Sequence, residues 1–299
     1  MRTIAHISDI HFGRTDPKVV EGLAKDLAKR EPTVLVVSGD FTQRARERQY
    51  QAAAGYLRRL PRPQLVVPGN HDIPLFDLVR RFFFPLERYR RLITADLRPV
   101  YQDEELFVLG INTARSFTHK SGWISEEQLL DVKTRVCEQP DNVFKVVVTH
   151  HPFIPPPRDP RADVIRRGAR YIDEMEDCGV DMLLAGHLHL AYHDDLRAHY
   201  KAAKRSILSV QAGTATSTRR RGEPNAYNWI TVSPGSEGLC TVAVRAWNAK
   251  AGCFEESLVT RYNRVNGEWL REKQGPVDEL AEKVLVEHPP AAVPPKTGL

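Results

Sequence analysis

Thr3-Ile4-Ala5-His6-Ile7-Ser8, running straight into Asp9-Ile10-His11, is an apolar stretch of strand length that ends on a carboxylate and an imidazole two residues apart. Such a run reads as a buried strand of a parallel sheet, where both faces are covered and the usual polar alternation disappears. Four more segments repeat the arrangement. Val34 to Ser38 leads into Gly39-Asp40, and Leu65 to Val67 into Gly69-Asn70-His71-Asp72. Lys145 to Thr149 leads into His150-His151-Pro152, and Met182 to Ala185 into Gly186-His187-Leu188-His189. In open α/β sheets ligands bind in the crevice outside the carboxyl ends of the strands, so five polar exits can converge from across the chain.

A single histidine after a strand is usually a helix cap or a core packer. Five clusters in succession are different, because isolated charges at buried strand exits cost several kcal/mol unless paired or metal-bound. Two aspartates, one asparagine and four histidines offer hard oxygen and imidazole donors suited to manganese, iron or zinc. Seven donors exceed the needs of one tetrahedral ion. A carboxylate such as Asp40 can bridge two ions about 3.5–4 Å apart, the arrangement that clamps the attacking and leaving oxygens of a phosphoryl transfer. Glycines before Asp40, Asn70 and His187 allow tight turns and close approach of the backbone.

At these residues the chain resembles the calcineurin-like metallophosphoesterases, whose pattern runs D-x-H, GD, GNH-D/E, H-x-P, GH-x-H, and the resemblance spans residues 3 to about 215. It implies two divalent ions, manganese, iron or zinc: Asp9, His11, Asp40 and His189 around the first, and Asp40, Asn70, His150 and His187 around the second. His71 matches the family histidine that contacts the scissile phosphate and can protonate the leaving oxygen. His151, the x of H-x-P, is expected behind the ligands or facing substrate. In outline the chain is closest to the bacterial class III cyclic-nucleotide phosphodiesterases. In these, a G-L-D-S stretch precedes a loop and a Gln-Leu helix, and here Gly110-Ile111-Asn112-Thr113 and Gln128-Leu129 keep that outline with Asn112 in place of the aspartate. The loop from Asn112 to Trp123 offers Arg115, His119 and Lys120 to a substrate phosphate.

Periodicity supplies covering helices over Val19 to Arg30, Glu47 to Leu60, Glu126 to Val136 and Val164 to Cys178. Strand-like segments at Glu105 to Ile111, Ser206 to Gln211, Ala226 to Val232, Leu239 to Trp247 and Glu255 to Tyr262 are expected to form another sheet packed on the first. The fold class is therefore α/β, a four-layer αββα sandwich, as the resemblance also implies. One catalytic domain is expected over 1–275, with 74–98 as helical cover over the site, followed by a C-terminal helix and a disordered Pro/Ala-rich tail over 276–299. Phe82-Phe83-Phe84 in the cover is expected to anchor it to the body, and the same region is a candidate homodimer surface.

With 299 residues and 41% hydrophobic content the chain is ample for one α/β domain, and composition excludes collagen, coiled coil and wholesale disorder. No run approaches eighteen apolar residues and strand one starts almost at once, so neither a membrane span nor a secretory signal is expected, and the location is expected to be cytoplasmic. Cys137, Cys178, Cys240 and Cys253 lack C-x-x-C spacing and read as idle thiols, a Cys240–Cys253 hairpin bridge being the one pairing considered. Net charge is +5, spread along the chain, so nucleic acid is a possible partner but not the favoured one. The run Arg219-Arg220-Arg221 reads first as a solvated loop, with steering of anions as its functional alternative. The substrate expected is a small anionic phosphodiester such as a 3′,5′-cyclic nucleotide. UDP-2,3-diacylglucosamine, DNA cleavage and a non-catalytic scaffold are the alternatives, the last disfavoured by the complete donor set.

Overall fold

The computed structural model describes residues 1–118, 120–233, 235 and 238–272. Strands β1 (Arg2–Ile7), β2 (Val34–Val37) and β3 (Gln64–Val66) alternate with helices α1 (Pro17–Arg30) and α2 (Glu47–Leu57). Two short helices, α3 (Leu78–Phe83) and α4 (Glu87–Leu92), precede β4 (Val100–Gln102) and β5 (Leu106–Gly110). Then come α5 (Glu126–Cys137), β6 (Phe144–Val148), α6 (Gly168–Asp177), β7 (Met182–Ala185), β8 (Tyr192–Asp195) and β9 (Leu208–Gln211). The described chain ends with β10 (Ala226–Ser233), β11 (Leu239–Asn248), β12 (Cys253–Val265) and β13 (Glu268–Arg271).

These strands form two sheets, ordered β13-β12-β11-β10-β1-β2-β3 and β4-β5-β6-β7-β9-β8. The division differs from the expectation that all five motif strands share one sheet. β1, β2 and β3 are parallel neighbours, and the free edge of β1 pairs antiparallel with β10. β6 and β7 lie in the other sheet, parallel to β5 and β9. After β3 no crossover helix returns the chain to the first sheet. Residues 67–99 instead carry it to the facing layer, where the second parallel set is built.

Alternation within the apolar runs explains the layers. Ile4, Val34, Val36 and Leu65 point inward against Val108, Val146, Val148, Met182 and Leu184 of the opposite sheet. Their neighbours Ala5, Ile7, Leu35 and Val37 face outward onto Val19, Leu23 and Leu27 of α1 and Tyr50 and Ala53 of α2. On the far side Phe107, Leu109, Val147 and Leu183 meet Leu129 and Val132 of α5 and Ile172 and Met175 of α6. Three apolar layers between four structural ones give the αββα sandwich. Every side of these strands is buried, hence their unbroken hydrophobicity.

The cover over 74–98 is fastened differently from the expectation. Phe82, Phe83 and Phe84 are exposed, Phe83 by 74%. Phe82 and Phe83 end α3 about 100° apart on the helix and Phe84 leaves it in a non-helical conformation, so the three cannot share one face. Buried Leu86, Tyr89 and Arg81 hold the segment instead, Arg81 donating to the carbonyls of Pro74 and Thr118 at 3.1 and 3.2 Å. The cysteines also differ: Cys137 at the end of α5 and Cys178 after α6 form a disulfide, whereas Cys240 lies opposite Tyr262 and Cys253 opposite Asn248. The helix and tail expected over 276–299 lie outside the described residues.

Candidate metal centre

The exits of β1, β2 and β7 turn within two or three residues, and there the turn is made by the functional residues themselves. Asp9, His11, Asp40, His187 and His189 have φ of 53°, 45°, 53°, 72° and 59°. A non-glycine residue in this left-handed region costs about 1–3 kcal/mol and persists only where its surroundings enforce it. Here backbone ties between exits do so, Asp9 N–H donating to Gly39 O at 3.1 Å and His11 N–H to Asp40 O at 2.9 Å. The glycines of the motifs serve close approach. A Cβ on Gly186 would stand 1.8 Å from Ser8 Oγ, one on Gly69 2.2 Å from Asp40 Oδ1, and one on Gly39 2.5 Å from His150 Nδ1.

The exits bring all seven expected ligands to one place, where their free atoms turn inward. Asp9 Oδ2 accepts from Ser8 Oγ at 2.7 Å and from His187 N–H at 3.0 Å, and Asp40 Oδ1 accepts from His71 N–H at 2.8 Å. The other carboxylate oxygens, Asp9 Oδ1 and Asp40 Oδ2, are buried without a hydrogen-bond partner among the described residues. Around them stand imidazoles whose outer nitrogen is engaged by a backbone carbonyl: His150 Nδ1 on Ser38 O at 2.7 Å, His189 Nδ1 on Arg219 O at 2.8 Å, His11 Nδ1 on Thr42 O at 3.3 Å. That engagement puts one ring proton on the outer Nδ1 and turns each Nε2 inward toward the carboxylates.

The inner nitrogens then face bare oxygens. His11 Nε2 and His189 Nε2 are 3.3 Å apart, and lie 3.5 and 3.3 Å from Asp9 Oδ1. Asn70 Oδ1 is 3.0 Å from both His150 Nε2 and His187 Nδ1. Acceptors crowded in this way repel unless a cation sits among them, and ligand atoms about 3.3 Å apart are what bonds of about 2.0–2.1 Å to a tetrahedral ion give. Burial holds His187 down at about 3 and His189 at about 4, neutral as ligation requires. The donor set therefore fits divalent metal, with Asp9, His11 and His189 as one group and Asp9, Asp40 and His150 as another.

His71 lies within reach of His11 and Asp40, but both its nitrogens are occupied. Nδ1 donates to Gln43 O at 2.9 Å, and Nε2 accepts from Arg219 Nη1 at 3.0 Å. A nitrogen facing a guanidinium is not placed to bind a second cation. Burial, with Arg219 among the further causes, lowers the His71 pKa. Arg219 is thus the residue that sequence reading undervalued: its carbonyl orients His189 while its guanidinium meets His71. The pair bounds a cleft of about 250 Å³ lined also by Gln43, Arg44, Arg81 and Lys120.

His151 is buried with Nδ1 on Thr113 Oγ1 at 2.8 Å, and its Nε2 has no partner although His150 and His187 are adjacent. Arg115 does not reach the centre. Its guanidinium binds the carbonyls of Asn112 and Ala114, each at 2.9 Å, and the Gln128 side chain, so it fastens its own loop to α5. His119 lies outside the described residues. Asp72, given no role from sequence, accepts from the N–H groups of Gly69, Phe41 and Thr42 at 2.9, 3.2 and 3.0 Å and ties two ligand loops together. Burial and the nearby Asp40 push it up to about 7.

The family model for calcineurin-like phosphoesterases matches residues 2–191. Over 163 residues the chain is 28% identical to a glycerophosphodiester phosphodiesterase of Enterobacter lignolyticus, the match covering 51% of this chain and 57% of that protein. Over 207 residues it is 26% identical to a probable cyclic nucleotide phosphodiesterase of Pseudoalteromonas sp., covering 65% and 74%. A purple acid phosphatase from yellow lupin seeds has a similar fold, with a TM-score of 0.65 at 10% identity over 86% of this chain and 53% of that one. The chain thus spans little more than half the length of the Enterobacter relative.

Proposed function

The chain belongs to the calcineurin-like phosphoesterase family, and from that premise we propose a dinuclear, metal-dependent phosphodiesterase acting on a small anionic substrate, with 3′,5′-cyclic nucleotides as the leading class. The observation that carries this reading is the pair of buried carboxylate oxygens without a hydrogen-bond partner among the described residues, Asp9 Oδ1 and Asp40 Oδ2, ringed by imidazole nitrogens behind a basic cleft that Asn70 and His71 line. Asp9, His11, Asp40 and His189 would hold one ion, and Asp40, Asn70, His150 and His187 the other. Bound there, the ions would supply an activated water and polarise the phosphoryl oxygens.

The chain's own residues supply the rest. Gln43 fixes the His71 ring so that Nε2 faces the cleft, where Arg219 holds it. A phosphate anion in the cleft attracts the guanidinium to its own oxygens. With the anion beside it, Nε2 becomes easier to protonate, and the ring can hand that proton to the leaving oxygen. Lys120 and Arg81 add positive charge to the same walls.

A second reading, a nucleotide-linked lipid such as UDP-2,3-diacylglucosamine, is favoured by the exposed Phe83, Phe84 and Phe117, of which the first two line a pocket that shares Ile73 with the cleft. Hydrolysis by the manganese-loaded protein of cyclic nucleotides, glycerophosphodiesters, UDP-diacylglucosamine and bis-p-nitrophenyl phosphate separates these. The proposal expects turnover of bis-p-nitrophenyl phosphate and a marked preference for one nucleotide-type diester. No turnover of any diester in the presence of metal would contradict it.

A further inference from the structure

Beside the cleft lies a second pocket, of about 510 Å³, whose walls include Arg14, Arg44, Arg46 and Arg48. All four are exposed, and among the described residues none forms a salt bridge; Arg44 stacks over Phe76 at 5.3 Å. Some exposed arginines elsewhere are matched, as in Arg59 with Glu21, Arg80 with Asp77, Arg91 with Glu47 and Arg170 with Glu126, and others such as Arg58 and Arg62 stand singly; what sets these four apart is that they share one concavity. Four unmatched cations around one concavity repel one another and draw an anion.

The backbone beneath them is fixed. Arg14 follows the β1 exit three residues after His11, and Arg44 follows the β2 exit four residues after Asp40. Buried Gln49 Oε1 accepts from Arg44 N–H at 2.9 Å and Arg46 N–H at 3.4 Å, and Ala45 between them is held at φ 49°. A Cβ on Gly13 would lie 2.1 Å from Gln49 Nε2, so the Arg14 loop sits against the same side chain. Gln43 and Arg44 line both this pocket and the catalytic cleft, and the Gln43 carbonyl is the one that orients His71. Glu47, between Arg46 and Arg48 in the chain, is bonded to Arg91 and leaves its two neighbours unpaired.

We infer that this pocket binds a second phosphate, one that is not hydrolysed, on the same substrate. The inference rests on the phosphodiesterase reading and, within it, favours a nucleotide-type diester bearing a further terminal phosphate over a cyclic monophosphate. One metal-bound diester and one arginine-bound phosphate, joined across Gln43, define a short substrate.

The test compares a dinucleotide with and without a 5′-phosphate on the manganese-loaded protein and on its Arg46→Ala/Arg48→Ala variant. The parent should show a KM about 10- to 100-fold lower for the phosphorylated form, the range expected of charge-assisted hydrogen bonds. The variant should lose that preference, and Arg46→Lys/Arg48→Lys should keep part of it. Unchanged metal content and melting temperature identify a folded variant, and Arg14→Ala, on the other loop, gives an independent check. Equal KM values in the parent, or a preference that survives both replacements, would overturn the inference. So would affinity that climbs with strand length and collapses with salt, which marks a polynucleotide. A parent inert toward bis-p-nitrophenyl phosphate would instead remove the phosphodiesterase reading beneath it.

Discussion

At the scale of single residues, the proposed function would divide the labour between His71 for proton transfer and Asp40 for cation binding, and their replacements should separate the two. His71→Ala leaves the carboxylate oxygens and ligand imidazoles in place, so metal content should stay near the parent's while turnover of alkyl phosphodiesters falls about 10²–10⁴-fold. Substrates with good leaving groups should suffer less. Elemental analysis beside the rate decides it, and a variant short of one ion would make His71 a ligand. The donors were legible because their identities and spacing carry the chemistry. Arg219 was not, because its partner His71 is 148 residues away and no local pattern links them. The left-handed backbone at Asp9, His11, Asp40, His187 and His189 was equally hidden, since nothing in those residue types demands it. Arg115 misled for the opposite reason: a cation on a loop beside the site invites a substrate role, whereas three acceptors of its own loop and of α5 claim it.

At the scale of elements, the exits work because chain segments approach closely. Gly186→Ala would set a methyl against Ser8 Oγ and Asp9 Oδ2, so the variant should melt lower and bind metal at least about tenfold more weakly, the range for displaced ligand support. Calorimetry and a metal titration read both, and wild-type affinity would show the contact to be slack. The disulfide joining the ends of α5 and α6 closes a loop with a sequence separation of 41, and chain entropy assigns it up to about 4 kcal/mol. Cys178→Ser should therefore lower the urea midpoint in the absence of reductant and match the parent in its presence. Half-buried His193, bonded to Thr260 on β12, gives a pH signature. Burial, with Arg271 nearby, lowers it to about 4 against 6.5 ordinarily, so the unfolded chain takes up the proton first. Stability is then complete above about pH 6.5 and falls toward pH 4, by at most about 3 kcal/mol from this group. His193→Gln should lose less between pH 7 and pH 5 than the parent, and equal losses would place the acid sensitivity elsewhere. Helices and strands of ordinary length were legible here from period alone. Short α3 and α4 were not, because each is too brief for a period to show.

Across the whole molecule, the centre is a property of two sheets docked face to face. Asp9, His11, Asp40 and Asn70 leave the sheet built on β1, while His150, His187 and His189 leave the one built on β6 and β7. The layered sandwich was readable in the unbroken apolar runs. Which strand joined which sheet was not, because a strand buried on both faces looks the same beside any partner. Asp40 faces both groups, with Oδ2 3.5 Å from His11 Nε2 and Oδ1 3.4 Å from His150 Nε2. Metal stoichiometry of the manganese-loaded, gel-filtered protein and of its Asp40→Ala variant is the most direct test of a single centre built across the two sheets. Two ions per chain in the parent, with the variant losing both and its turnover falling to background, is the predicted result. One ion or none in the parent, or two ions and near-normal turnover in Asp40→Ala, would contradict it.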